Sequence, residues 1–379
     1  MPLTREQHFD RTLSPKRILA LDGGGLRGIL TLEYLSAIET LLGKRAGRAD
    51  FRLCDYFDLI GGTSTGSIIA AGLACGMSVK DLQELYKEIG VQVFVPNFFR
   101  KGLLVPKFPA EKVQKALDDQ LGADVTLDSE RIRTGLMIMT KRIDTGSPWP
   151  LHNHPGARYA ALDGKLLLTQ VVRASTAAPT YFEPECIEIS SRDNIVVKGA
   201  FVDGGVSPYN DPALQLLLVA LLQGHGLRWK SGANELLLIS AGTGIHHEQI
   251  PADELVRMPA AEQGVRALQS LMDDCLSANQ MMLQWLTNCL TPWNIDSAVG
   301  DMMVDGNEGP RLATYARYNV LLDEKWIKNN LHVDVTPDRL DKLARMDNPA
   351  IMDDLAKFGT MAAKMQVREE HFPASFDVH

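Results

Sequence analysis

The sequence is poor in cysteine, in net basic charge and in long apolar runs. Its five cysteines, Cys54, Cys75, Cys186, Cys275 and Cys289, are odd in number, widely spaced and contain no C-x-x-C pair. That excludes a disulfide-stapled scaffold, argues against a metal site and predicts reduced thiols, mostly buried as small hydrophobes. Lys and Arg total 39 against 47 Asp and Glu, a net charge of −8. Proteins that grip a phosphate backbone usually carry a basic surplus, so a nucleic-acid polymer is not an expected partner. The most apolar stretch, Leu214 to Leu222, is interrupted by Gln215 and is far too short to span a bilayer. The N-terminal MPLTREQHFDRTLSPKR is polar and charged, without the apolar core of a signal peptide. These absences predict a cytoplasmic chain that meets a membrane only at its surface.

What is present is ordinary globular composition: 379 residues, 45% hydrophobic and 23% charged, with no internal repeat or low-complexity tract. Residues 1–14 read as a polar arm. Arg17 to Leu21 is a buried strand, followed by Asp22-Gly23-Gly24-Gly25-Leu26-Arg27-Gly28 and a helix with apolar positions Ile29, Leu32, Leu35, Ile38 and Leu42. Tyr56 to Ile60 is a second strand, running into Gly61-Gly62-Thr63-Ser64-Thr65-Gly66 and an Ala- and Ile-rich helix. Val91 to Pro109 mixes phenylalanines, prolines and cations and reads as a long loop, suited either to packing over the core or to dipping into a lipid interface. Ala110 to Leu121 and Leu166 to Ala174 are predicted helices, and Gly135 to Met139 a strand. Ile195 to Val197 and Ala200 to Val202 are predicted as two short strands, the second ending at Asp203-Gly204-Gly205. Asp211 to Gln223 is helical and Glu235 to Ser240 a buried strand. Beyond Pro251 the pattern is helical and Met-rich, with Met272, Met281, Met282, Met302 and Met303 read mainly as core filling, the alternative being a malleable surface for acyl chains or a partner. Strands alternating with helices predict an α/β fold with a mainly parallel sheet.

Gly62-Thr63-Ser64-Thr65-Gly66 fits G-x-S-x-G between a strand and a helix. A sharp turn there projects the serine oxygen, and the helix N-terminus behind it presents free N–H groups to negative charge. The plain alternative is a Gly-rich turn with a capping serine. The three glycines at 23–25 leave backbone N–H groups open, suiting an oxyanion hole or a phosphate cradle. Gly23, Gly25 and Gly28 also satisfy G-x-G-x-x-G, but a dinucleotide-binding oxidoreductase needs an acidic residue at the end of a second strand, and residues 47–51 are charged loop. A nucleophilic serine needs a base. The order Ser64, Asp203 and then His225, His246 or His247 formally fits a triad for soluble esters. Asp203 alone, at the C-terminal edge of the sheet, could instead take the proton directly.

Taken together, these motifs resemble the signatures of patatin-like phospholipases, in that family's order. Arg173-Ala174-Ser175-Thr176-Ala177-Ala178-Pro179-Thr180-Tyr181-Phe182 and Ser240-Ala241-Gly242-Thr243-Gly244 agree as well. The resemblance covers roughly residues 15–245 and, more weakly, the stretch to Tyr318. It implies a three-layer α/β/α fold: a catalytic domain over residues 15–320 and a helical C-terminal extension over 321–379. It implies a Ser64–Asp203 dyad without histidine, with Gly23, Gly24, Gly25, Arg27 and Thr65 around the oxyanion and no cofactor or metal. The substrate implied is a membrane phospholipid, met by peripheral contact. Some bacterial members are switched on by cyclic nucleotides in antiphage defence, so such an activator is a candidate partner, and an oligomer is compatible with it. Two positions depart from the family's habit. Ser67 stands where glycine often follows, and Asn210-Asp211-Pro212 where Asn-Asn-Pro is common.

Overall fold

The computed structural model describes residues 2–93, 110–192, 195–246, 250–303, 305 and 309–378. In chain order the first half gives α1 (Arg5–Phe9), β1 (Lys16–Leu21), α2 (Gly28–Ala46), β2 (Leu59–Thr63), α3 (Thr65–Ala74), α4 (Val79–Val93), α5 (Ala110–Leu121), β3 (Gly135–Arg142), β4 (Ser147–His152), α6 (Ala160–Asp163) and α7 (Leu168–Ser175). The second half gives β5 (Glu185–Arg192), β6 (Ile195–Asp203), α8 (Ala213–Leu221), β7 (Leu236–Ala241), α9 (Ala252–Arg257), α10 (Ala260–Leu286), β8 (Asn288–Cys289), β9 (Thr314–Tyr318), α11 (Glu324–Leu331), α12 (Pro337–Ala344) and α13 (Met352–Gln366).

The strands form one sheet in the order β5-β6-β3-β2-β1-β7-β9-β8, with β4 on the other side of β3. β1 lies between β2 and β7, parallel to both, and all six of its residues are buried. Its pleat sends Leu19 and Leu21 into a cluster with α2, α3 and α13, and Ile18 and Ala20 into a second cluster with α8 and Trp229. Successive side chains on a strand point to opposite faces, so this alternation makes β1 the spine of a three-layer α/β/α sandwich with a mainly parallel sheet. β4, β5 and β6 are the antiparallel margin.

The margin is where local reading and structure part. β6 is one continuous strand, Ile195–Asp203, carried through Gly199 rather than broken there. β4 contains Pro148 and Pro150; it lies at the sheet margin, where prolines are tolerated because their missing donors face no partner strand. Tyr56 to Phe57 belong to a turn, and β2 starts at Leu59. The C-terminal third is not purely helical, since β9 enters the sheet parallel to β7. The methionines there do not fill the core: Met303 is 63% exposed, and Met281 and Met282 are 37% exposed. The Val91–Pro109 loop lies outside the described residues apart from 91–93, which end α4. All five cysteines are free, with Cys54 buried and Cys186 exposed.

α13 docks on α2 where Gly359 meets Leu30 and Glu33, and Thr360 Oγ1 donates to Glu33 Oε2 at 2.7 Å. Leu355, Phe358, Ala362 and Ala363 join the same buried cluster as β1. The C-terminal helices therefore share the main core. Phe358→Ala should cost about 3–5 kcal/mol, as large-to-small core changes do, measured by urea unfolding. A loss under about 1 kcal/mol would mean that α13 packs only loosely.

Candidate active site

β3 is the ruler that assembles the site. Thr63, the last residue of β2, pairs with Met139, and Asp203, the last residue of β6, pairs with the next residue, Thr140. Two strands distant in sequence therefore end side by side. Ser64 follows Thr63 directly, and its Oγ donates to Asp203 Oδ2 at 2.5 Å.

Ser64 has φ 53° and ψ −127°, a left-handed φ that side chains other than glycine adopt at a cost. The turn is tight enough that a side chain at Gly66 would collide with the carbonyls of Leu21 and Asp22. Three bonds hold it. The Ser64 N–H donates to Ser175 Oγ at 2.9 Å, Ser175 Oγ donates to Met139 O at 2.6 Å, and Ser67 Oγ donates to Ser64 O at 2.5 Å. Ser67, a departure from the family's pattern, thus braces the elbow. Thr65 opens α3, and its N–H has no hydrogen-bond partner among the described residues.

Asp203 is 5% exposed. Its Oδ1 accepts from Gly205 N–H at 2.7 Å. Burial pushes its pKa up to about 6, against the opposing pull of the Ser64 and Gly205 hydrogen bonds. A carboxylate with that value is ionised at neutral pH yet basic enough to accept a hydroxyl proton.

The glycine turn stands directly against the serine, since a side chain at Gly23 would press on Ser64 Cβ. Gly23 itself differs from expectation: its N–H donates to Asn210 O at 3.1 Å and is committed within the fold. Its carbonyl accepts from Thr243 Oγ1 at 2.8 Å and Asn210 Nδ2 at 3.3 Å. The pinned Gly23 peptide sets the turn, and the N–H groups of Gly24 and Gly25 have no partner among the described residues. Gly25 has φ +59° and lies beneath Met346, whose carbonyl accepts Leu26 N–H at 2.8 Å. Arg27 is half-buried; burial lowers its pKa to about 10, opposed by Asp273 and Asp22, so it stays cationic.

Below the turn lies Arg317, on β9 and fully buried. It binds Asp22 through two hydrogen bonds of 2.6 and 3.1 Å, Asp211 at 2.7 Å and Ser240 Oγ at 2.6 Å. Asp211, the second departure, is therefore a counter-charge to Arg317. Neither Arg317 nor the bracing Asn210 was among the sequence candidates.

Among the described residues no histidine bonds Ser64 or Asp203. His225 follows α8 and pairs with His152, Nδ1 to Nε2 at 3.1 Å, while His246 Nδ1 contacts Leu322 O at 3.0 Å. Burial holds the His225 pKa below its ordinary value. His247 lies outside the described residues. Nor does the dinucleotide alternative fit: residues 47–51 form a turn and coil instead of an acid-ended second strand.

The fold and site define an α/β protein with a serine on a strained strand–helix elbow and a buried aspartate as its partner. The sequence matches the family model "Patatin-like phospholipase" over residues 19–217, just over half the chain. This chain belongs to the patatin-like phospholipase family. A cGAMP-activated phospholipase of Vibrio cholerae is 33% identical over 213 residues, 53% of this chain and 57% of that protein. One from Escherichia coli is 33% identical over 211 residues, 54% and 55%. Patatin-17 of Solanum cardiophyllum is 30% identical over 247 residues, 61% of each chain. The matched region thus spans little more than half the length of the cGAMP-activated relatives. Among solved structures, VipD from Legionella pneumophila aligns over 91% of this chain and 67% of its own, at 14% identity and a TM-score of 0.35.

If Asp203 is the base, a serine-directed fluorophosphonate should label Ser64 at a rate that rises with pH and levels off, with its midpoint near the Asp203 value of about 6. Below that midpoint the proton sits on the carboxyl and labelling falls. Asp203→Asn should abolish the titration; an unchanged profile in that variant would point to another base.

Proposed function

We propose that this chain is a phospholipase A-type serine esterase that cleaves fatty-acyl esters of membrane phospholipids and is gated by a cyclic nucleotide. The observation that carries the catalytic half is the 2.5 Å bond from Ser64 Oγ to a buried Asp203, with no histidine bonded to either among the described residues. In this reading Asp203 takes the hydroxyl proton as Ser64 Oγ attacks the ester carbonyl carbon. The oxyanion is held by the N–H groups of Gly24, Gly25 and Thr65, with the cation of Arg27 adding positive potential. The carbon–oxygen bond breaks, and the lysophospholipid leaves with the proton returned by Asp203. Water, deprotonated by Asp203, then attacks the acyl-enzyme; the fatty acid departs and Ser64 regains its proton.

The gating half rests on the names of the two bacterial relatives, both called cGAMP-activated phospholipases. It also fits the physical hazard of a lipid-cutting enzyme left unregulated beside its own membrane, and antiphage defence is the setting it suggests. No helix among the described residues is long and apolar enough to cross a membrane, so the reading is of transient contact at the bilayer surface.

Ser64→Ala and Asp203→Ala should each reduce vesicle phospholipid hydrolysis by about 10³-fold or more, followed by mass spectrometry of released fatty acids and lysolipids. His225→Ala should leave it unchanged. An inactive His225 variant beside an active Asp203 variant would sink the dyad and favour a triad. Adding cGAMP should raise the wild-type rate; full activity without it would overturn the gating half and leave the hydrolase half standing.

A further inference from the structure

Outside residues 19–217, the C-terminal third builds a cavity of about 890 Å³ over the ends of β7 and β9. Its walls come from α10, the segment after β8, α11 and the chain that follows α13. They include Trp293, Trp326, Arg317, Arg368, Gln280 and His371. Its volume is in the range of small-molecule sites, and the C-terminal edge of parallel strands is where α/β sheets bind ligands. Trp293 and Trp326 are both half-buried in its lining, and indoles are surfaces on which planar bases stack. Arg368 is exposed, and its guanidinium pairs with the exposed Glu370 at 3.4 Å, a pair that a phosphodiester could displace.

A second cavity, of about 750 Å³, lies beside the N-terminal arm and Leu53–Asp55, near the end of β2 remote from Ser64. There Arg5, Arg48, Arg52 and Arg133 are balanced by Glu6, Asp50, Asp55 and Glu130. Nothing ties it to the site.

The first cavity has such a tie. Arg317 is among its lining residues, and its guanidinium, itself fully buried, holds Asp22 and Asp211. Asp22 precedes the Gly23–Gly25 turn. Asp211 follows Asn210, which receives the Gly23 N–H and donates to the Gly23 carbonyl. From the far side, α13 is joined through the 347–351 segment to Met346, which accepts Leu26 N–H. A ligand that shifts Arg317 or the chain around α13 would therefore move the donors on which the oxyanion depends.

We infer that this cavity is the cyclic-dinucleotide site, with bases on Trp293 and Trp326, a phosphodiester at Arg368, and Arg317 linking occupancy to the catalytic turn. The inference rests on the gating reading above and gives it a location.

The full-length chain is titrated with cGAMP by calorimetry, and vesicle phospholipid hydrolysis is followed at each concentration. In Trp326→Ala and Arg368→Ala the cGAMP Kd should rise at least about tenfold, with activation shifted to match. Hydrolysis of a soluble p-nitrophenyl ester without nucleotide should stay within about twofold of wild type, which shows that both variants fold. Arg368, exposed and outside the core, keeps the test clear of misfolding. If wild type binds cGAMP and both variants bind it equally well, the cavity is the wrong place and gating survives. If wild type neither binds nor responds to cGAMP, the gating reading falls and the cavity's assignment falls with it.

Discussion

The buried trio of Arg317, Asp22 and Asp211 is the constraint on which the rest of the site depends. Taking charges out of water costs several kcal/mol per ion unless they are paired with good geometry. Here one guanidinium pairs with carboxylates from two separate segments, and each carboxylate adjoins one half of the catalytic architecture. Removing one partner of such a group typically costs about 3–5 kcal/mol. The trio therefore clamps the β1 turn, the start of α8 and β9 into one unit. The Gly23 peptide, locked between Asn210 and Thr243, is the visible product of that clamp.

How far the sequence discloses this depends on whether the signal is local. Gly62-Thr63-Ser64-Thr65-Gly66 and Gly23 to Gly25 were legible because tight backbone needs glycine, and the strand–turn–helix context shows in neighbouring residues. The central strands were legible for the same reason, as continuous apolar runs. The pairing of Ser64 with Asp203 is not local. It follows from Thr63 and Asp203 sharing β3 at adjacent registers, and the resemblance to a family stood in for that geometry. The run of three glycines announced open donors but could not tell that one was spoken for, because its acceptor, Asn210, is remote in the chain.

The misses have physical causes too. β4 escaped notice because Pro148 and Pro150 mark it as a loop to any local rule, although a marginal strand tolerates them. β9 was hidden because Arg317 interrupts an apolar strand with a charge, and only the two distant aspartates make that burial affordable. Met281 and Met282 looked like core because composition alone does not tell which face of α10 the fold covers.

Ser64 has a further consequence. Glycine occupies a left-handed φ with little penalty, whereas serine there carries strain on the order of 1–3 kcal/mol. The protein would accordingly be more stable with glycine at position 64, and inert. The hydrogen bonds from Ser175 and Ser67 hold the backbone in a conformation it would otherwise leave. Conformational stability and reactivity thus oppose each other at a single residue, and the fold resolves the conflict in favour of reactivity.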